Sequence, residues 1–456
     1  MKKKGITTIK EILKKLNEKR LSSQIQVGGW IKSIRKSKNI NFIVLNDGSC
    51  LESIQLIINK KLFQENLNKK VKFNSSLLVD CSLKSTKNDQ LELEIRKIID
   101  FNELKVNFNN YSQKKKIPLE VIRFSPHFRV KTQFFLAIFR IRHSISIFIH
   151  FFLEKNNFLF VSTPIITNND TEGIGDLFKV DIVNDKIKKF FLSETVNLTV
   201  SSQLHLEALT QGLGRVYNFS PCFRAEKSHT IRHLSEFWMV ELEIIFTDLD
   251  GIINFAEKLV KSIIKNTIKE NLKELKFIEN YKEIKKIDEL KKIVKKKFKR
   301  ITYEKAIKIL KKEDKFSKDI TWGVNIQSEH EKYLCSYFKN IPLFITNYPM
   351  KLKAFYMKNN VVNSNTVLCF DLIFPYVGEI IGGGVREDDY NVLIRKLKKM
   401  NVNSKNLKWY LNLRKNGYIS TAGFGLGLER LIMFLGEINI RDTIPFPRYF
   451  KNKTFI

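Results

Sequence analysis

Arg224, Glu226, Lys227, His229, Arg232, His233 and Phe237 fall close together in one stretch, YNFSPCFRAEKSHTIRHLSEFWMVELE, running from Tyr217 to Glu243. Aromatic and β-branched residues flank the charged KSHTIRH, a pattern of strand, polar turn and strand. Cations at a hairpin tip suit phosphates, Phe237 suits stacking on a base, and Glu226 suits an exocyclic amino group as its hydrogen-bond acceptor. Together these are the parts needed to hold a nucleoside triphosphate. A solvated charged turn between two core strands accounts for the same local pattern.

Two later stretches weigh against the plainer reading. CFDLIFPYVGEIIGGGVRE, Cys369 to Glu387, puts Asp371 on one strand, Glu379 at the start of the next, and Arg386 just past three glycines. Paired carboxylates in such a place suit a magnesium ion that bridges phosphates. TAGFGLGLERLIMFL, Thr421 to Leu435, is a glycine-rich turn entering an apolar helix with Arg430 near its start. Glycines there let a backbone or a ligand come close.

These stretches resemble the signature motifs of class II aminoacyl-tRNA synthetases. FRAEKSHTIRHLSEF is similar to motif 2 of the aspartyl/asparaginyl branch, and GFGLGLERLIMFL followed by IRDTIPFPR is similar to motif 3. DTEGIGDLFKV, LTVSSQLHLEAL and GEIIGGG with Arg386 and Glu387 resemble the asparagine-specific members. The likeness runs from about Val27 to the C-terminus with one divergent region. It implies an ATP-dependent ligase that forms asparaginyl-adenylate and passes asparagine to the 3′ end of tRNA(Asn), with Mg2+ as cofactor.

Site residues are implied by the same resemblance. Arg224 would bridge the α-phosphate of ATP and the amino-acid carboxylate, while His233 and Arg430 reach the distal phosphates. Phe237 and Arg430 would sandwich the adenine, Glu226 would read its amino group, and Asp371 with Glu379 would hold the metal. Glu172, in TEGIGD, would take the substrate's α-amino group. Gln203 and Glu207, four apart and so on one face of a helix, would line the asparagine pocket with Arg386. Since an asparagine side chain offers both an acceptor and donors, Arg386 is expected to donate and Glu207 to accept, with Glu207 repelling aspartate. Aspartyl enzymes of the branch usually place Lys where this chain has Leu206. The substrate carboxylate itself attacks phosphorus, so the protein's task is to stabilise charge rather than to act as a base.

Plain structural roles stand beside these: a cap for Glu172, a surface helix residue for Glu207, a strand-end carboxylate for Asp371, a surface cation for Arg430. Two departures from the pattern are visible. GGGVRE, Gly382 to Glu387, stands where relatives commonly read GGSQRE, and Ser202 stands where Gly is frequent.

The elements that must position this chemistry fit a chain of 456 residues, enough for two or three domains. QVGGWIKSIR, INFIVLNDG, ESIQLIIN, SLLVDCSL and LELEIRKIIDF alternate like the strands of a small closed barrel over residues 27–102. GGWIKSIRKSKNINFIVLNDGSC resembles the oligonucleotide-binding (OB) fold by which this branch grips the anticodon. Phe42 would then stack on a base, Gln55 would read a base edge, and Arg35 would neutralise phosphate; a barrel-core residue and surface residues are the alternatives. Residues 1–26 read as a helical extension, 103–130 as a polar linker or hinge, and 131–456 as the catalytic domain. Within the last, about 251–346 form a Lys-rich helical region with no visible chemistry, and Asn347–Asn360 read as an inner strand pair. The fold class expected is α+β, with the barrel followed by a mainly antiparallel sheet flanked by helices.

Lys and Arg total 80 against 47 Asp and Glu, a net charge of +33, which favours a polyanionic partner or reflects compositional bias. The five cysteines have no CxxC spacing, which points to a reducing compartment, the cytoplasm, and to no zinc. The apolar run Phe134 to Phe152 is interrupted by Arg140, Arg142 and His143, so it reads as a core or interface helix rather than a membrane span. With the strand that follows it, ended by Pro164, the run is similar to motif 1, which implies a homodimer. Rival readings are an aspartyl-tRNA synthetase, an ammonia-dependent asparagine synthetase, which would need no barrel, and a tRNA-binding paralogue with a silent site.

Overall fold

The computed structural model describes residues 5–18, 24–67, 71–85, 91–103, 118–169, 177–182, 196–228, 230–402 and 404–451. Contacts divide the chain into two units, residues 1–137 and 138–456.

In the first unit, helix α1 (Ile9–Asn17) starts with a capping box between Thr8 and Glu11. The Asp47 carboxylate accepts from the Ile9 N–H at 2.8 Å, so the orphan donors of the first turn are satisfied. Ile9 and Ile12, neighbours on one helix face, are fully buried with Val27, Ile31 and Leu45. The helical extension read from the sequence is thus packed into the barrel core. Strands β1 (Gln24–Lys36), β2 (Ile40–Asn46) and β3 (Ile54–Asn59), helix α2 (Lys60–Asn66), and strands β4 (Ser76–Ser85) and β5 (Leu91–Asn102) follow. The barrel closes in the order β1-β2-β3-β5-β4, parallel only between β3 and β5. Its first strand begins at Gln24 rather than Val27.

Residues 104–117 of the polar connector lie outside the described residues. The part that follows is folded, as α3 (Leu119–Arg123) and α4 (Pro126–Arg129), with Arg129 buried 4.6 Å from the Phe135 ring. An apolar residue such as Ile122 and a covered arginine are incompatible with a solvated hinge there.

Helix α5 (Gln133–Lys155) leads into the second unit. Ile138, Ile141, Ile145 and Phe152 are buried at helical spacing, whereas Phe148 is only half-buried. Among the described residues this is the one helix long and apolar enough to cross a membrane by length and composition. Its Arg140 and Arg142 pair with Glu274 at 3.0 Å and Glu429 at 2.7 Å, which seats it in the protein.

Strand β6 (Leu159–Phe160), a small sheet of β7 (Ile166–Thr167), β8 (Lys179–Val180) and β9 (Val196–Leu198), and helix α6 (Gln203–Leu213) come next. Then follow strands β10 (Arg215–Phe223) and β11 (Glu236–Ile245), and helices α7 (Leu249–Glu270), α8 (Leu272–Lys282) and α9 (Lys286–Lys295). The chain continues through β12 (Lys299–Thr302), α10 (Tyr303–Lys311), α11 (Ser328–Tyr337), β13 (Leu343–Thr346), β14 (Cys369–Phe374) and β15 (Gly378–Val385). Helices α12 (Tyr390–Lys399) and α13 (Lys408–Asn412), strand β16 (Thr421–Gly427) and helix α14 (Leu428–Gly436) complete it. One eight-stranded sheet runs β12-β13-β14-β15-β16-β11-β10-β6. Only its end pairs, β12 with β13 and β10 with β6, are parallel. With its barrel, its mainly antiparallel sheet and its helices, the chain is the α+β protein that its sequence predicts.

Two local expectations change. The Lys-rich region is not purely helical: it contributes β12 and β13 to the sheet's edge, and Leu343 and Ile345 pack against Ile307, Leu310 and Leu334 of α10 and α11. Asn347–Asn360 is not a strand pair. Phe355, Tyr356 and Met357 are buried consecutively instead of alternating, and this segment meets the sheet only through isolated bridges such as Met357 with Arg386.

Candidate active site

β10 and β11 form the expected hairpin, with Cys222 opposite Phe237 and Phe223 opposite Glu236. The Arg224 N–H donates to the Ser235 carbonyl at 2.9 Å, closing the base of the polar loop. Its guanidinium lies 5.3 Å from the centre of the Phe237 ring. Within the loop, His233 Nδ1 is 3.0 Å from the Ser228 hydroxyl and 2.5 Å from that of Thr230, while Nε2 lies 3.6 Å from the Glu226 carboxylate. Burial, then the nearby Arg430 charge, push His233 below its ordinary value, so its imidazole is neutral at neutral pH. His229 lies outside the described residues. Arg232 anchors the loop by donating to Glu331 of α11 at 2.9 Å and to the Val377 carbonyl at 2.7 Å.

Beside the hairpin, β11, β16 and β15 run side by side and set Glu243, Thr421 and Arg386 together. Arg386 Nε donates to Glu243 Oε1 at 2.9 Å, and Nη2 donates to Glu243 Oε2 at 3.0 Å and to Gln203 Oε1 at 2.7 Å. Gln203 Nε2 and the Thr421 hydroxyl also donate to Glu243, at 3.1 and 2.8 Å. A Cβ on Gly423 would fall 2.0 Å from Glu243 Oε2, so only glycine lets that carboxylate lie across the neighbouring strand. Burial pushes the Glu243 carboxyl up against the pull of the guanidinium. The same burial opposes the Arg386 charge, but Glu243 outweighs it and holds the arginine protonated. Among the described residues Arg386 Nη1 meets only the Met357 sulfur at 3.4 Å, a weak acceptor, and so retains donor capacity.

Glu241, two residues before Glu243 on the same strand, accepts from the Ser201 hydroxyl at 2.5 Å and the Ser202 N–H at 2.8 Å. Burial pushes it up, and those hydrogen bonds pull it partly back. On β14, Asp371 receives the Lys353 ammonium on both oxygens, at 2.5 and 2.6 Å. Burial raises Asp371 to about 6 against the pull of Lys353, with Glu379 adding to the rise. Glu379 sits across from Asp371: a Cβ on Gly382 would lie 3.0 Å from one carboxylate and 3.6 Å from the other. This pair suits a magnesium that brings its own phosphate ligands, Glu379 directly and Asp371 once Lys353 has let go. Among the described residues no group of three potential ligands forms a dedicated metal cage. Arg430, in the first turn of α14, donates to the Glu379 carbonyl at 2.8 Å.

One cavity of about 740 Å³ collects most of these groups, with Glu243 and Thr421 outside its lining. Arg224, Glu226, His233 and Phe237 line it, and so do Gln203, Asp371, Glu379, Arg386 and Arg430. Glu207 does not. Its carboxylate is fully buried, receiving Arg414 on Oε1 together with Tyr418 at 2.6 Å, and Tyr410 on Oε2 at 2.7 Å. The expected place of Glu207 beside Arg386 at the asparagine pocket is therefore corrected: the acid that receives Arg386 is Glu243. A turn of helix below Gln203 carries Glu207 away from Arg386, whereas the crossing strand brings Glu243, itself buried behind the cavity wall, onto the guanidinium. Glu172 lies outside the described residues.

Sequence reasoning also passed over Glu241, Ser201 and Lys353. Acids at alternate positions of the otherwise apolar EFWMVELEII were a usable signal, because carboxylates are not buried in a strand without partners. Nothing local marks Lys353. The missing family serine at position 384 has a steric cause: a Cβ there would meet the Leu368 carbonyl at 2.5 Å.

In the first unit, Phe42 and Val44 of β2 pair with Ile57 and Gln55 of β3, and Arg35 pairs with Phe42. Phe42 is half-buried and Gln55 exposed, so both face outward while Ile43 and Leu45 fill the core. The Arg35 guanidinium lies 4.4 Å from the Phe42 ring centre.

Comparison with known proteins agrees in extent and kind. Residues 121–449 match the family described as tRNA synthetases class II (D, K and N), and residues 25–101 match the OB-fold nucleic acid binding domain. The asparagine–tRNA ligase of Malacoplasma penetrans is 42% identical over 98% of this chain and 99% of its own. That of Borrelia garinii is 40% identical over 95% and 97%. Among solved structures, asparaginyl-tRNA synthetase from Pyrococcus horikoshii complexed with asparaginyl-adenylate superposes with a TM-score of 0.85 at 29% identity, covering 97% of this chain and 98% of that one. A full-length match of this kind, over a cavity built from residues of the Tyr217–Glu243, Cys369–Glu387 and Thr421–Leu435 stretches, makes the chain a member of the asparagine–tRNA ligase family of class II tRNA synthetases.

Proposed function

We infer that the chain joins asparagine to tRNA in two steps, using ATP to make asparaginyl-adenylate and releasing pyrophosphate, then passing the asparaginyl group to the terminal ribose of the tRNA. The observation that carries the amino-acid assignment is the pairing of Arg386, which lines the cavity, with Glu243 behind it. A guanidinium neutralised by a bidentate carboxylate remains a hydrogen-bond donor without remaining a bare positive charge. Such a group suits the carboxamide of asparagine and gives no net attraction to the carboxylate of aspartate. Glu241, on the same wall, suits the substrate's ammonium group.

The asparagine carboxylate oxygen forms the new bond to the α-phosphorus as the bond to the pyrophosphate oxygen breaks. Charge accumulates on the phosphoryl oxygens and the leaving group, where Arg224, Arg430 and the neutral His233 donate. Phe237 offers a stacking face for adenine, and Glu226 an acceptor for its amino group. Glu379 and Asp371 would hold magnesium, which supplies further positive charge to the phosphates.

The outward face carrying Phe42, Gln55 and Arg35 suits single-stranded bases of the tRNA. A second copy of this chain would cover the exposed Ile147, Phe151, Leu159 and Phe160 that follow one another along α5 and β6. Free buried cysteines fit a reducing compartment, the cytoplasm. ATP–pyrophosphate exchange, run separately with asparagine and aspartate beside charging of tRNA with a GUU anticodon, tests the whole reading. Asparagine-dependent exchange and charging are expected; exchange with aspartate in preference, or with neither, overturns it.

A further inference from the structure

Behind the cavity wall lies a second acid and a second arginine, neither of which lines it. Glu207 and Arg414 are both buried, and Glu207 takes hydrogen bonds from Tyr410 and Tyr418 as well. A buried ion pair is weak evidence for stability by itself, since its desolvation offsets its attraction. Its connections show another use.

Two routes join it to Arg386. Along the side chains, the Tyr418 hydroxyl that donates to Glu207 lies 3.3 Å from the Thr421 hydroxyl, which donates at 2.8 Å to the Glu243 oxygen that receives Arg386 Nε at 2.9 Å. Along the backbone, Arg414 Nε and Nη2 donate to the Glu387 carbonyl at 3.0 and 2.9 Å, clamping the residue next to Arg386. The Glu387 carboxylate is fixed in turn by the Lys396 ammonium and the Asn359 N–H, each at 3.1 Å. The buried network thus runs Arg386, Glu243, Glu207, Arg414, an arginine at each end of two acids, and each cation has its counter-charge.

We propose that Glu207 and Arg414 are positioning residues for Arg386, holding through Tyr418 and Thr421 on one side and the Glu387 carbonyl on the other the guanidinium that selects the amino acid. The geometry explains why an arginine is needed at 414. Only a planar fork reaches Glu207 and a backbone carbonyl together; an ammonium on a flexible stem meets one or the other. It also explains the place of Glu207 a turn below Gln203: both carry the same wall, Gln203 from the front and Glu207 from behind.

The proposal rests on the reading of the cavity as an asparagine site, and the two are separable. Tyr418→Phe removes one hydroxyl and breaks the side-chain route with little risk to folding. Arg414→Lys keeps a charge for Glu207 and loosens the backbone clamp. For both, steady-state exchange is expected to show a KM for asparagine raised about tenfold to a hundredfold, the scale on which a small misplacement far from the chemistry acts. The KM for ATP should be unchanged, and the preference for asparagine over aspartate reduced. The double variant should be no worse than additive in Tm, read from thermal melts of the same samples.

If Tyr418→Phe and Arg414→Lys leave the asparagine KM and the preference intact, or shift the asparagine and ATP constants equally in step with a lowered Tm, the pair is structural and the proposal is overturned. Absence of asparagine-dependent exchange in the unsubstituted chain overturns the functional reading instead.

Discussion

A guanidinium that reads a carboxamide must not act as a free positive charge, because a bare cation at such a site prefers a carboxylate. Arg386 meets that condition through Glu243, which accepts from two of its nitrogens. Replacing Glu243 by Gln keeps the shape and removes the charge. The ratio of kcat/KM for asparagine over aspartate is expected to fall by about tenfold to a hundredfold, equivalent to about 1.4 to 2.8 kcal/mol. Exchange assays with each amino acid measure this, and an unchanged ratio would place discrimination in other side chains. Of this subsite the sequence disclosed Arg386 and Gln203 but not the acid. Glu207 stands near Gln203 in the chain, so spacing favoured it; which acid faces the arginine is decided by three adjacent strands, β15, β16 and β11, whose order no local pattern states.

Between elements, the most consequential contact is at the start of α14, the helix that carries Arg430. Glu429 is buried there and accepts from Arg142 of α5 at 2.7 Å and from the Trp238 N–H of β11 at 2.9 Å. Arg142→Met would leave a carboxylate buried without its cation, a loss of about 3–5 kcal/mol. The expected result is a lower urea midpoint at unchanged slope, and a midpoint within error of the unsubstituted chain would refute the assignment. Hairpin β10–β11 was legible because its apolar residues alternate and its turn is polar. β12 was not: KRIT offers only Ile301 as a buried apolar residue and gains its place from β13, which follows two intervening helices. α1 misled for the reverse reason, its amphipathic pattern being plain while the partner for its apolar face, the barrel core, lay downstream.

Across the whole molecule, His150, His205, His233 and His330 are all pushed below their ordinary values by burial. As pH falls through about 6.5, the unfolded chain takes up these protons before the folded one does, so stability is lost on acidification and is level above that range. Asp371, raised to about 6, acts in the opposite sense only below that pH, where the folded state holds its proton more tightly. Thermal melts should show Tm level above about pH 7 and falling as the pH drops through about 6.5, with a shallower fall in His205→Gln; equal slopes would refute the linkage. The two units should also respond separately to substitution. Phe42→Ala on the barrel is expected to raise the KM for tRNA by about tenfold, a stacking loss of about 1–3 kcal/mol. Exchange, which needs no tRNA, should keep its rate, and a parallel loss in both assays would remove Phe42 from the RNA surface.

The Arg35 guanidinium over the Phe42 ring has a thermodynamic corollary. That face of the aromatic is already occupied by a planar, delocalised partner, so an arriving base exchanges one stack for another instead of covering bare apolar surface. The net heat of such a contact at Phe42 would be the small difference between two similar stacks, with the displaced guanidinium free to meet a phosphate. Base recognition at this position would be a competition, in which a base that stacks poorly would fail to unseat the resident guanidinium.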